Sequence, residues 1–249
     1  IVLRYAPYSN TSRVVTWLTP AHGRITTIIK GSQRPKSSFL GQYDLFYTCE
    51  LLFYARDRNG IHIAKECCPV KTRVGLRRDW QASSTASYFC DLVQRISPND
   101  APHAGSFELL DRALDDLAAH GSSPAFLFWF ELKFMDLMGV SPRLQNCMEC
   151  KRPLNPTPSP ARFSWTQGGV LCPACAGRKA LDGVSIPPDV LAMLADWQKA
   201  RTAQAALNTQ CTPKQRETAG KLLGLFLSHH LDTGLGSRGI ALDTLEYKP

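Results

Sequence analysis

Cys147, Cys150, Cys172 and Cys175 form the pattern C-x2-C-x21-C-x2-C, with four prolines in the intervening stretch. Nothing else in the chain limits its folding so sharply. Two residues between the thiols of a knuckle let both sulfurs turn onto one ion, and a second knuckle completes a tetrahedron. Thiolates are soft and favour zinc or iron–sulfur chemistry over magnesium or calcium. One Zn2+ per chain is the expected ion. Four sulfur ligands leave no open coordination position, so such a zinc is structural rather than catalytic. Disulfides or a redox pair are the alternatives. A redox C-x-x-C normally opens a helix in a thioredoxin-like unit, and no such unit is visible here. Nine cysteines in 249 residues are too sparse for a secreted disulfide scaffold, so a reducing, cytoplasmic home is expected. Between the knuckles, "ARFSWTQGGVLC" reads as two short strands turned at Gly168-Gly169.

The positive charge is concentrated. Residues 1–80 carry thirteen Lys and Arg against five Asp and Glu, whereas residues 81–249 carry sixteen of each. A basic first third predicts a polyanionic partner, because each cation placed on a phosphate releases condensed counterions. Hydrophobic content of 44% with 20% charged residues fits a globular chain rather than a disordered one. The longest strongly apolar run, Ala125 to Phe130, is far too short to cross a bilayer. The chain opens at Ile1 inside a strand-like segment, which predicts that residues precede it.

Hydrophobic periodicity changes near Arg78. Before it, "RVVTWLT" and "GRITTIIKG" are β-branched runs joined by "PAHG". "LFYTCELLFYARD" and "GIHIAKECC" flank Asn59-Gly60, a pair suited to a type I′ hairpin turn. Four or five strands and one basic loop suit a small barrel of the OB type. After it, helical spacing appears over 79–96, 105–121, 124–140, 188–206 and 213–231. In the second of these, Leu109, Leu110, Ala113, Leu114 and Leu117 make one apolar stripe, with Ser106 as the expected N-cap. The fold class is therefore α+β and multidomain. An OB-fold domain spans 1–79, and an α-helical domain spans 80–249, interrupted by a zinc-ribbon-like insert at 145–180.

No familiar catalytic signature is present. None of the six histidines begins H-x-E, and there is no H-E-x-x-H, G-x-S-x-G or Walker-type loop. The expectation is a binding protein, not an enzyme. OB-type domains hold single strands by tracking the backbone with cations while bases stack on aromatics. Arg13, Arg24, Lys30, Arg34, Lys36, Lys71 and Arg73 are the candidate nucleic-acid contacts. Tyr8, Trp17, Phe39, Tyr43 and Phe46 are the nearby aromatics, of which Trp17 and Phe46 are better suited to a core.

The order of features resembles one family, the RecO recombination mediators of bacteria. The pieces that carry the resemblance run from "YSNTSRVVTWLTPAHGRITTIIKGSQRPKSSFLGQYDLF" through "ASYFCDLV", "FELLDRALDDL" and "FELKFMDLMGVSPRLQNCMEC". They continue to "FSWTQGGVLC" and "GLGSRGIA". The resemblance implies an OB fold, a helical domain and a zinc-finger-like insert. It implies binding of single- and double-stranded DNA, annealing of complementary strands, and work with RecR to load RecA onto DNA coated by single-strand-binding protein (SSB). It further implies a cytoplasmic, nucleoid-associated protein, with the acidic tail of SSB held on the helical domain. For that tail, Phe130, Lys133, Phe134 and Arg143 are the expected slot and rim. The competing reading is an adaptor that docks acidic protein tails and binds little DNA of its own.

Overall fold

Alternation in "GRITTII" buries Gly23, Ile25, Thr27 and Ile29 and leaves Arg24, Thr26 and Ile28 half-exposed. The structure is a computed structural model that describes residues 1–56, 60–154, 160–177, 183–231, 234 and 236–247. Five strands follow from this kind of pattern: β1 (Val2–Ser9), β2 (Ser12–Thr19), β3 (Gly23–Ile29), β4 (Thr48–Tyr54) and β5 (Ile61–Lys71). They form one sheet in the order β1-β2-β3-β5-β4, parallel between β3 and β5 and antiparallel elsewhere. Val2 exchanges backbone hydrogen bonds with Phe46 and Tyr47, which draws the first strand toward the start of β4. This is the OB-like sheet that the strand count predicts. Asn59, half of the expected hairpin turn, lies outside the described residues.

The barrel core is built from Val2, Val15, Trp17, Ile25, Ile29, Tyr43 and Tyr47. Trp17 is buried with its indole N–H donated to the buried Thr27 hydroxyl at 2.9 Å, so neither polar group is left unsatisfied. Gly23 is required at its position. Its φ is +64°, and a Cβ there would lie 2.0 Å from the carbonyl oxygen of Ala101.

The chain divides into two compact units, Ile1–Ser122 with Ser237–Pro249, and Ser123–Gly236. The first unit therefore holds more than the barrel. It includes a short 3₁₀ helix (Val74–Arg77), α1 (Trp80–Ile96) and α2 (Ala104–His120). Asp79 caps α1 by accepting from the N–H groups of Gln81 and Ala82. The cap of α2 is not Ser106 but His103, whose Nδ1 accepts from the Ser106 N–H. Leu110, Ala113, Leu114 and Leu117 bury the predicted stripe, with Leu109 half-buried.

The second unit is built around α3 (Pro124–Leu137), which is apolar around most of its circumference and buried from Ala125 to Leu132. A helix of that composition can only be core. The insert contributes β6 (Ala161–Ser164), β7 (Gly169–Leu171) and the four-residue α4 (Pro173–Ala176). A third strand, β8 (Val184–Ile186), completes a sheet in the order β7-β6-β8 and was not apparent from the sequence. The helix expected over 188–206 is two helices, α5 (Pro188–Lys199) and the short α6 (Gln204–Leu207). They part where Ala200 turns extended at φ −60°, ψ 127°. Then α7 (Pro213–Leu231) packs on α3 and α5. His230 at its end shares a 2.9 Å hydrogen bond with the Trp165 carbonyl. The last helix, α8 (Gly236–Glu246), belongs to the first unit and buries Ala241 there. No helix among the described residues is long and apolar enough to cross a membrane.

Candidate metal centre and nucleic-acid surface

The four knuckle sulfurs all lie within 4.8 Å of one another, and those of Cys150 and Cys172 are 3.9 Å apart. A tetrahedral ion bound at about 2.3 Å would set its sulfurs about 3.8 Å apart, so the residues fit one zinc. Backbone turns create this convergence. The Lys151 N–H returns to the Cys147 carbonyl at 3.0 Å, and Lys151 itself adopts φ 61°. In the second knuckle the N–H groups of Cys175 and Ala176 bond to the Cys172 carbonyl. The Cys172 N–H donates to the Cys147 sulfur at 3.4 Å, tying the knuckles together.

The thiols are electrostatically unequal. Burial pushes the Cys147 thiol up, but N–H donors from Cys172, Cys150 and Glu149 overcome it and bring its pKa down to about 6. Contact with Cys172, then desolvation and the other two thiols, holds Cys175 up at about 12. Four crowded thiols resist losing every proton unless a cation neutralises them.

Gly168 and Gly169 turn the ribbon for different reasons. Gly168 sits at φ +76° in open space. Gly169 is where the chain carrying the first knuckle crosses: Arg143 bonds to Gly168 and Val170, and the Met148 N–H bonds to Val170. A Cβ on Gly169 would lie 2.6 Å from the Arg143 oxygen and 2.9 Å from the Met148 sulfur. Gly169→Ala is expected to cost about 1–3 kcal/mol, read as a lower denaturant midpoint at unchanged m. An unchanged midpoint would mean that the crossing is not tightly packed.

The candidate DNA-binding cations separate into two groups. Lys30, Arg34 and Lys36 are exposed, and none of the ion pairs among the described residues includes them. Their loop rests on the β1–β2 turn, with the Gly31 N–H donated to Ser12 Oγ and the Gln33 N–H to the Thr11 carbonyl. Arg13 lies on the same end, its guanidinium 4.6 Å from the Tyr5 ring centroid. Tyr8 is 60% exposed beside them, whereas Trp17, Tyr43 and Phe46 are buried and Phe39 packs against the barrel core.

Three other cations are committed inside the first unit. The Arg73 side chain is only 3% exposed. It bonds to Asp111, to Asp115 at 2.7 Å and to the Phe46 carbonyl at 2.6 Å. Lys71 is paired with the same two carboxylates. Arg24 donates to the Gln94 carbonyl. These contacts fasten the barrel to α1 and α2; Arg73 is too buried to meet a phosphate, whereas Lys71 keeps 40% of its side chain exposed. Lys71 and Arg73 are already paired with carboxylates, and Arg24 spends a donor on a backbone carbonyl.

The family model "Recombination protein O N terminal" matches residues 1–73, and "Recombination protein O C terminal" matches residues 77–239. The chain belongs to the RecO family of DNA repair proteins. A relative from Anaeromyxobacter sp. (strain K), named DNA repair protein RecO, is 32% identical over 96% of this chain and 92% of its own length. One of the same name from Syntrophus aciditrophicus is 29% identical over 95% and 91%. Another from Roseiflexus sp. (strain RS-1) is 30% identical over 93% and 80%.

In this RecO-family chain the expected tail slot is not a slot. Phe130 and Phe134 have no exposed surface and stack on each other within the second unit, 6.2 Å apart and nearly parallel. Lys133 donates to the Gln198 carbonyl at 2.6 Å, and burial holds its pKa below the usual lysine range. Arg143 does border open space. It lines a cleft of about 490 Å³ together with Asp136, Asn146, Lys151, Gln198 and Lys199. Lys151 and Lys199 carried no sequence signal, because they lie in separate segments that only the fold brings together.

Proposed function

We propose that this RecO-family chain is a non-catalytic recombination mediator that binds single- and double-stranded DNA and anneals complementary strands. In this reading it acts with RecR to load RecA on SSB-coated DNA, in the bacterial cytoplasm at the nucleoid. One observation carries the DNA-binding part: Lys30, Arg34 and Lys36 stand exposed on one loop with no ion-pair partner among the described residues, beside Arg13 and the exposed Tyr8. Cations track the backbone and an exposed ring offers a stacking face, so the contacts made by this loop are themselves sequence-tolerant. Annealing follows physically, since a cationic surface lowers the repulsion between two strands and base pairing supplies the driving force. The four cysteines hold one structural zinc and take no part in chemistry.

The test is a salt titration of single-strand binding. Neutralising Lys30→Ala, Arg34→Ala and Lys36→Ala together is expected to reduce the slope of log K against log salt by about 2. Wild-type affinity and slope in the triple variant would show that the loop is not the site.

The cleft bordered by Arg143, Lys151 and Lys199 favours a second reading, an adaptor for acidic tails such as that of SSB. A chain that bound an SSB tail peptide but no oligonucleotide would establish it over the first.

A further inference from the structure

At the end of the barrel opposite the basic loop, the β2–β3 turn, the end of β4 and the start of β5 surround a cavity of about 380 Å³. This lies within the range of small-ligand pockets, about 300–1,000 Å³. Its lining includes three rings. Phe53 meets His22 edge-on at 5.7 Å and lies tilted against His62 at 5.0 Å. Ile25 and Leu52 supply apolar wall. The remaining polar group is a carboxylate, Asp100.

The backbone of Asp100 is held in place, while its carboxylate is little used. The Asp100 N–H donates to the Arg24 carbonyl at 3.1 Å, and its backbone adopts φ 51°. His62 Nδ1 accepts the Arg56 N–H at 3.1 Å, which leaves the ring's Nε2 as the nitrogen facing Asp100. The Nε2 to Oδ1 distance is 3.6 Å, too long for a good hydrogen bond. The Asp100 side chain is 55% exposed, so its oxygens keep free lone pairs at the pocket edge.

We propose that this cavity takes one unstacked guanine of a bound single strand. Phe53, His22 and His62 contact the ring, and Asp100 accepts from the base's N1–H and its exocyclic amino group. The chemistry selects that base. A carboxylate presents two adjacent acceptors and no donor. Guanine alone offers two adjacent N–H donors on its Watson–Crick edge. Adenine and cytosine each set an acceptor nitrogen beside the amino group, and thymine offers one N–H between two carbonyls. Position agrees with this assignment. Strand β3 runs from Gly23 at the pocket to Ile29 beside Lys30. Its ends lie about 20 Å apart, a span that a single strand covers within the site size of about 4–16 nucleotides for one OB fold.

The assignment rests on the DNA-binding reading, and the experiment separates the two. Binding of a 15-nucleotide oligo-dT is compared with the same strand carrying one central dG, or one deoxyinosine, which lacks the exocyclic amino group. The salt slope is measured in parallel. The dG strand is expected to bind about tenfold more tightly than oligo-dT, with deoxyinosine between them. Asp100→Asn, which tolerates the left-handed backbone, is expected to bring the dG strand down to oligo-dT, and His22→Ala to narrow the gap. Salt-dependent binding without a dG preference, or a preference that survives Asp100→Asn, overturns the pocket alone. No salt-dependent binding of any strand overturns the DNA reading and the pocket with it.

Discussion

Cys147→Ser is expected to release the proposed zinc and to lower the thermal midpoint by about 7–14 °C. The magnitude follows from loop closure. An ion joining Cys150 to Cys172 closes a loop of about the size that a covalent cross-link stabilises by roughly 3.5 kcal/mol. Ser cannot supply a thiolate, and Cys147 is the buried member whose thiol is already acidic, at about 6. Its lowered pKa sets the sign of the pH dependence. The thiolate form favours the folded site above the ordinary cysteine value of about 8.5, and that contribution fades as pH falls through about 6. Metal should therefore be lost on acidification before the rest of the fold responds. Metal analysis and calorimetry on wild type and variant give the result. An unchanged midpoint with full metal content would refute the clip. A collapse of DNA affinity at an unchanged midpoint would make the insert a nucleic-acid reader.

The second large effect concerns Arg73. Arg73→Ala is expected to cost about 3 kcal/mol at neutral pH, because it leaves Asp111 partly buried with one cation fewer and the Phe46 carbonyl without its donor. Burial raises the Asp111 pKa, but hydrogen bonds from Lys71, Thr48 and Arg73 more than offset it and leave the pKa below the usual aspartate value. Lys71 is raised above its usual value by the hydrogen bonds it donates to Asp111 and Asp115. The Asp111 contribution is present above about pH 4 and lost as pH falls through its lowered folded value. The Lys71 contribution is present below about pH 10.4 and lost as pH rises through its raised folded value. The gap between wild type and variant should thus be widest between these limits and narrow on acidification. Equal stability of the two proteins at pH 7 would remove the cluster from any structural role. Arg73→Lys keeps the charge without the planar fork, so only partial recovery is expected.

Both predictions show what a linear sequence reveals. The four cysteines were legible because their spacing is local and their chemistry is narrow. The strands and long helices were legible because alternation and 3.6-residue spacing survive in short windows. The roles of Arg24, Lys71 and Arg73 were not. Their partners Gln94, Asp111 and Asp115 lie 38 to 70 residues away, and a cation on a phosphate looks the same in sequence as one on a distant carboxylate. For Phe130 and Phe134 a usable signal did exist. "FLFWFELKFM" is apolar at every position but Glu131 and Lys133, and so apolar a helix packs as core rather than lining a solvent-facing slot. By contrast α8 begins at Gly236 and holds Gly239, so its helical signal was too weak to stand alone. It is fixed by contacts instead: Ser237 donates to Asp91 at 2.6 Å, and Gln81 donates to the Thr244 carbonyl at 3.0 Å.

That last helix has a consequence for the order in which the protein is made. The first unit consists of residues 1–122 and 237–249, so the whole second unit leaves the ribosome before the first can be completed. The barrel, α1 and α2 must wait through more than a hundred residues of synthesis with the α8 site on α1 uncovered. At about 5–20 residues per second that interval is roughly 6–23 s. A chain released early, anywhere in the second unit, would carry a basic β-domain with one patch left open.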